Sequence, residues 1–357
     1  MSDDDDSSAD DELQFKLDEG WQALEQGDRA SARRVADSIN AQATARGGAT
    51  DPAFAPALLL QAACFRDEGD DEQAIPLLRK ATAADPEWCT PELWLSELLA
   101  MQPETTAEAL SHASRALDLA EEEDEYLNAL ALKAGLEAEL GEVEEAKHTL
   151  QDLPAAEVSL GDPMLALQIA ELWLAVGEPA AARDRLLTLT TSDPNLADAW
   201  YTLGIALEDL DDVPGMRAAW KKAWQLDSRA DTRDLQVNLD EQELLEVADS
   251  ALAELPERAR NLLKEVPIVI ADLPAEADVD SGLDPRMLGL FSGTPYPEMS
   301  NLGGQPGLTQ IVLFRRNLER AAASEDELRD EIRTTLLHET GHFFGMDEAD
   351  LEGVGLD

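Results

Sequence analysis

Two of the chain's four histidines stand four residues apart in HETGHFFG, residues 338–345, with a glutamate directly after the first. On a helix, positions i and i+4 share a face, so the imidazoles of His338 and His342 can reach one divalent cation. Zinc takes neutral imidazole nitrogens at about 2.0–2.1 Å. Glu339 then lies beside the open coordination position and can accept a proton from zinc-bound water, which supplies a nucleophile at neutral pH. The flanks, LL before and FFG after, are uncharged, as a water-excluding site requires. Gly345 can end the helix and turn the chain. Six positions past His342 stands Glu348, where the longer His-Glu-x-x-His-x-x-Gly-x-x pattern puts its third ligand. Asp347 and Asp350 compete for that role.

The elements that must hold these groups can be read upstream. SEDELRDEIRTTLLHETGHFFG opens with Ser324 and Glu327 as a capping box. It continues as a helix with Leu328, Ile332, Thr335 and Leu336 on its inner side. PIVIADLP, 267–274, and QIVLF, 310–314, read as short strands, and the Gly-, Pro- and Asp-rich residues 275–307 as loops. EQELLEVADSALAELPERARNLLKEV reads as an amphipathic helix interrupted at Pro256. Together these predict a small α+β domain over 241–357.

That stretch resembles the small bacterial zincin-like metallopeptidase family, the minimal zincin or zincin-1 domain. The likeness lies in ALAELPERARNLLKEVPIVIADLP, LGLFSGTP, FRRNLER and ELRDEIRTTLLHETGHFFGMDEADLEGVGL. It implies a helix-strand-helix metalloprotease fold with zinc on His338, His342 and a nearby acid, and Glu339 as general base. The family commonly carries aspartate where this chain has Glu348. By analogy with zincins, strand 310–314 is expected to be the edge strand that pairs with extended substrate. Tyr296, Arg315 and Arg316 are the nearby candidates for stabilising developing negative charge.

Ahead of this domain the chain repeats itself. Gly69 has Ala62 seven residues before it and Ala74, Leu78, Ala81 and Pro86 after it; Gly27, Gly141 and Gly177 anchor similar copies, Asp211 takes the glycine place in another, and a weaker copy centres on Glu104. The anchors fall 34 to 42 residues apart. Small residues let paired helices approach, and the glycine permits the turn. AWYTLGIALEDLDDVPGMRAAWKKAWQLD, with Trp200, Leu203, Gly204 and Ala223, resembles the tetratricopeptide consensus. Residues 15–228 are thus expected to form a tetratricopeptide (TPR) solenoid of six repeats whose concave face binds a protein or peptide. An acidic disordered tail, 1–14, precedes it and a polar linker, 229–240, follows. His112 and His148 inside the array have no second ligand nearby and read as ordinary helix residues.

Lys plus Arg total 27 against 76 Asp plus Glu, a formal net charge of -49. Residues 241–357 hold 9 basic and 25 acidic residues, so the acidity belongs to both halves. Such a chain repels a phosphate backbone, which argues against nucleic acid. MSDDDDSSADDE lacks the basic start and apolar stretch of a signal peptide, and no run approaches the ~20 apolar residues of a membrane span. The expected location is the cytoplasm, away from membranes, with Cys64 and Cys89 as reduced, structural thiols. The sequence therefore predicts a mostly α protein: a zinc metalloendopeptidase whose repeats deliver or select protein substrates. The competing reading is a non-catalytic TPR scaffold carrying a structural or inactive zincin-like domain.

Overall fold

The computed structural model describes residues 3–45, 54–153, 161–230, 237, 239–296, 309–347 and 350–351. They fall into two compact units, 1–189 and 190–357.

The first unit is built of helix pairs: α1 (Asp3–Glu25) with α2 (Arg29–Ala45), α3 (Ala55–Asp67) with α4 (Asp71–Ala84), and α5 (Cys89–Ala100) with α6 (Thr106–Leu119). Then come α7 (Glu123–Glu139) with α8 (Val143–Gln151), and α9 (Pro163–Ala175) with α10 (Pro179–Ser192). Successive pairs pack on one another, α2 on α3, α4 on α5 and α6 on α7. The residues that carried the repeat are the ones in contact. Ala62, Ala74, Leu78 and Ala81 are all fully buried, the three alanines letting neighbouring helices close up around Leu78. The turns at Gly27, Gly69, Gly141 and Gly177 all have φ between 73° and 79°, a conformation that costs most residues about 1–2 kcal/mol. The Glu104 copy instead turns through a short 3₁₀ segment, Pro103–Thr105. Cys64 and Cys89 are free and buried, and burial, with Glu125 and Glu92 nearby, pushes the Cys89 thiol up to about 11.

A sixth pair, α11 (Ala197–Asp209) and α12 (Val213–Asp227), belongs to the second unit. Asp211 turns it with φ 58°, the left-handed conformation that the glycines adopt elsewhere. A Cβ on Gly204 would lie 2.0 Å from Trp220 Cδ1, so the close approach of α11 to α12 requires glycine there. Next follow α13 (Glu241–Glu254), α14 (Glu257–Leu263), β1 (Ile268–Ala271), α15 (Glu276–Ser281), β2 (Gly289–Ser292), β3 (Gln310–Phe314), α16 (Arg315–Ala321) and α17 (Glu325–Phe343). Pro256 separates α13 from α14, as its missing N–H and fixed φ dictate. The three strands form one sheet in the order β1-β3-β2, with β1 parallel and β2 antiparallel to β3.

The expectation that 310–314 is an edge strand is therefore corrected: β3 is paired on both sides, and among the described residues β2 is an edge. The apolar run IVLF within QIVLF is what a strand buried on both faces requires, and Ile311 through Phe314 are all buried. Ile311 and Leu313 pack with Leu244 and Ala248 of α13 and with Leu328, Ile332 and Leu336 of α17. Val237 and Leu239, within the stretch read as linker, are buried in the same core.

The sixth pair is bound into this unit by charge as well as packing. Asp227, 3% exposed, takes a bidentate ion pair from Arg320 at 2.7 Å for each oxygen and a further bond from Arg286 Nε at 3.0 Å. Arg286 lies over the ring of Tyr201, whose hydroxyl donates to Asp284. Asn317 Nδ2 donates to the carbonyls of Pro285 and Met287. Residues 284–287, which lead directly into β2, are thus held from two sides.

Candidate metal centre

Helix α17 starts where the sequence says it should. Ser324 Oγ accepts the Glu327 N–H, while the Glu327 carboxylate reaches one residue further back, to the N–H of Ala323. Its end is a left-handed cap: Gly345 has φ 81°, Gly345 N–H donates to His342 O and Met346 N–H to Gly341 O. This reversal brings the Met346 carbonyl within 3.2 Å of His342 Nδ1. A carbonyl only accepts, so Nδ1 carries the proton and Nε2 presents its lone pair, the arrangement a metal-ligating imidazole needs.

The structure brings His338 and His342 together, with their Nε2 atoms 3.0 Å apart. Two nitrogens at zinc distance in a tetrahedral set would be separated by roughly 3.3 Å. A shared proton or a shared cation fits between them, and the donor set suits zinc. Glu339, 7% exposed, points to β2, where its Oε2 accepts the Phe291 N–H at 2.6 Å. A charge-assisted bond of this kind fixes the orientation of the carboxylate. Gly289 makes room for it, since a Cβ there would meet Thr335 Cγ2 at 2.7 Å and Glu339 Cγ at 3.0 Å.

Among the described residues, no third His, Cys, Asp or Glu joins the two histidines. Glu348 lies outside the described residues. Asp347 and Asp350 bind each other's backbone, Asp350 N–H to Asp347 Oδ1 at 2.9 Å and Asp347 N–H to Asp350 Oδ2 at 3.3 Å, the reciprocal pattern of a capping box. Of the charge-stabilising candidates, Arg315 pairs with Asp272 at 2.6 Å and Arg316 donates to the carbonyls of Ser228 and Ala230. Tyr296 is the one beside α17, its ring 5.9 Å from that of Phe343. His112 Nδ1 sits 2.5 Å from the buried Glu92 carboxylate, and His148 is exposed on α8.

Two hollows meet at the histidines, and both touch Met287, His338 and Glu339. One, of about 520 Å³, runs on past Phe291, Pro295, His342 and Asp347. The other, of about 270 Å³, runs the opposite way past Gly289, Thr334, Thr335 and Glu331. Both hollows border residues of β2 and flank Glu339. Sequence reasoning missed Gly289, the Phe291 N–H, the Met346 carbonyl and the seat that Gly341 gives to Leu351, where a Cβ would come within 2.3 Å of Leu351 Cδ2. Only the glycines left a trace in the sequence, since backbone donors carry no residue signature.

Residues 263–356 match the family described as Zincin-like metallopeptidase. No curated protein matches the chain. Among solved structures it is similar to pilF of Pseudomonas aeruginosa (16% identity, 62% of this chain and 95% of that one, TM-score 0.48). It is also similar to PilW, a type IV pilus biogenesis factor (15%, 61% and 95%, TM-score 0.47), and to YrrB, a TPR protein with an unusual peptide-binding site (19%, 48% and 86%, TM-score 0.40). Helix pairs and family match together define the class: a mostly α TPR-type helical array followed by a small α+β zincin-like domain. No described helix is long and apolar enough to cross a membrane.

Proposed function

We propose that the C-terminal domain is a zinc-dependent endopeptidase and that the repeats hold its protein substrate or a protein partner. The observation that carries this reading is the convergence of the two Nε2 atoms, 3.0 Å apart, beside the buried Glu339 carboxylate. His338 and His342 would hold the metal, with Glu348 as third ligand. Bound zinc would polarise the substrate carbonyl and ease deprotonation of an attacking water. Glu339 takes the proton of that water on its carboxylate as the C–O bond forms, and returns it to the amine nitrogen as the C–N bond breaks. Phe291 N–H keeps the carboxylate turned toward the cleft. The outer edge of β2, rather than β3, is where an extended substrate would lie. Tyr296, whose ring lies 5.9 Å from that of Phe343, would be the donor to the developing oxyanion. The array's acidity suits a soluble, cytoplasmic protein that binds proteins and not nucleic acid.

Metal analysis of the purified full chain, combined with hydrolysis of unfolded protein by the wild type and by Glu339→Gln, tests this. Zinc near one equivalent and hydrolysis confined to the wild type are expected. Equal hydrolysis by both proteins, or none by either, overturns the peptidase reading in favour of a metal-holding interaction protein.

A further inference from the structure

The acids of α17 differ in what they do. Glu325 pairs with Arg329, Glu327 caps the helix and Glu339 binds Phe291 N–H. Arg333 reaches away to Glu254 on α13. Glu331 is half-buried, lines the 270 Å³ arm of the cleft, and its carboxylate makes no ion pair or hydrogen bond among the described residues. A carboxylate partly screened from bulk water without a cation beside it is a site where an incoming cation gains somewhat more than it would in solution. Among the described residues no Lys or Arg lines either arm of the cleft, and the other Asp or Glu side chains there are Glu339 and Asp347. The Asp347 side chain is already engaged by the Asp350 N–H, and Glu339 by Phe291, which leaves Glu331 to face a ligand.

Position fixes what that ligand would be. Seven residues of helix at 1.5 Å each put Glu331 about 10 Å along the groove from His338. About three residues of extended chain span the same length. Leu288 and Gly289 of the opposite wall and Thr334 and Thr335 leave room in this arm for side chains, and nothing there repels positive charge.

We propose that the cleft selects substrates with a lysine or arginine about three residues to one side of the bond cut, and that Glu331 is the residue that recognises it. This rests on the peptidase reading for the word substrate, but the recognition itself is a binding property. The long-range field points the same way, because residues 241–357 carry a net -16 and draw cationic segments toward the cleft.

The test uses the full chain with Glu339→Gln in the background to prevent turnover. N-acetylated, C-amidated decapeptides of alanine and leucine carry a single central Lys, Gln or Glu, and their affinities are compared with and without Glu331→Gln and Glu331→Lys. Affinity contributed by the repeats is common to all these proteins, so only the Glu331-dependent difference counts. The Lys peptide should lose roughly five- to tenfold in affinity on Glu331→Gln and the Gln peptide should not change, whereas Glu331→Lys should favour the Glu peptide. Unchanged affinity for the Lys peptide overturns the proposal. A second arm maps the bonds cut by the otherwise wild-type chain in an unfolded protein by mass spectrometry. Enrichment of Lys and Arg at one position, lost in Glu331→Gln, is expected. Cleavage without charge preference refutes Glu331 as selector and spares the peptidase reading. Glu331-dependent binding of the Lys peptide without any cleavage does the reverse.

Discussion

Glu92 in the array and Asp227 in the second unit are equally buried, each 3% exposed, yet they are neutralised in different ways. Glu92 on α5 is met by His112 and Arg115 of the next helix, α6, at 2.5 and 2.9 Å. Asp227 on α12 is met by Arg286 and Arg320, which follow it by 59 and 93 residues. The array closes its charges locally, as a stack in which each helix pair touches only its neighbours must. The second unit closes this charge across 93 residues of chain, and the contacts that do so hold the segment leading into β2. A loss in the array should therefore stay where it is made, whereas a loss at Asp227 should spread to the cleft.

The largest effect that bears on this contrast is chemical. Glu339→Gln should lower hydrolysis by about 10²- to 10⁴-fold, the usual contribution of a positioned general base, with zinc content and thermal midpoint unchanged in calorimetry and metal analysis. Asp227→Ala should then cost about 3–5 kcal/mol, because two guanidinium groups lose a buried partner. Segment-resolved hydrogen exchange should show faster exchange in α12, β2 and α16, with residues 55–120 unaffected. If Asp227→Ala costs no more than Glu92→Gln, the contrast fails. Gly289→Ala should cost about 1–3 kcal/mol by overpacking against Thr335 and Glu339, and should reduce hydrolysis by more than its stability loss accounts for. The smallest effect belongs to the turns: Asp211→Gly should stabilise its helix pair by up to about 1 kcal/mol and Gly69→Ala should destabilise its own by about the same, read as shifts in urea midpoint.

What the sequence made legible was local. Asp211 standing in the glycine place, Ser324 as cap, Pro256 as break and Gly345 as stop each act within a turn of their own position. They read correctly because no distant partner is needed to interpret them. The pairing of His338 with His342 belongs to the same kind, since helical spacing alone sets it. The order of the strands does not. QIVLF announces burial on both faces but not which strands flank it, and the analogy that made it an edge was overruled by β1 and β2 pairing on either side. Asp227 gave no signal either, because nothing near it in sequence marks its guanidinium partners. The cleft's donors from β2 and from Met346 are backbone groups and leave no residue pattern to find.

The ion pairs of Asp227 also bear on how the protein can be divided. Cutting at the end of the repeats, so as to express only residues 241–357, would strand Arg286 and Arg320 and strip Arg316 of the carbonyls of Ser228 and Ala230. The smallest portable piece carrying the zincin-like domain should instead begin near residue 190, with one repeat-type helical hairpin as a fixed part of its own body.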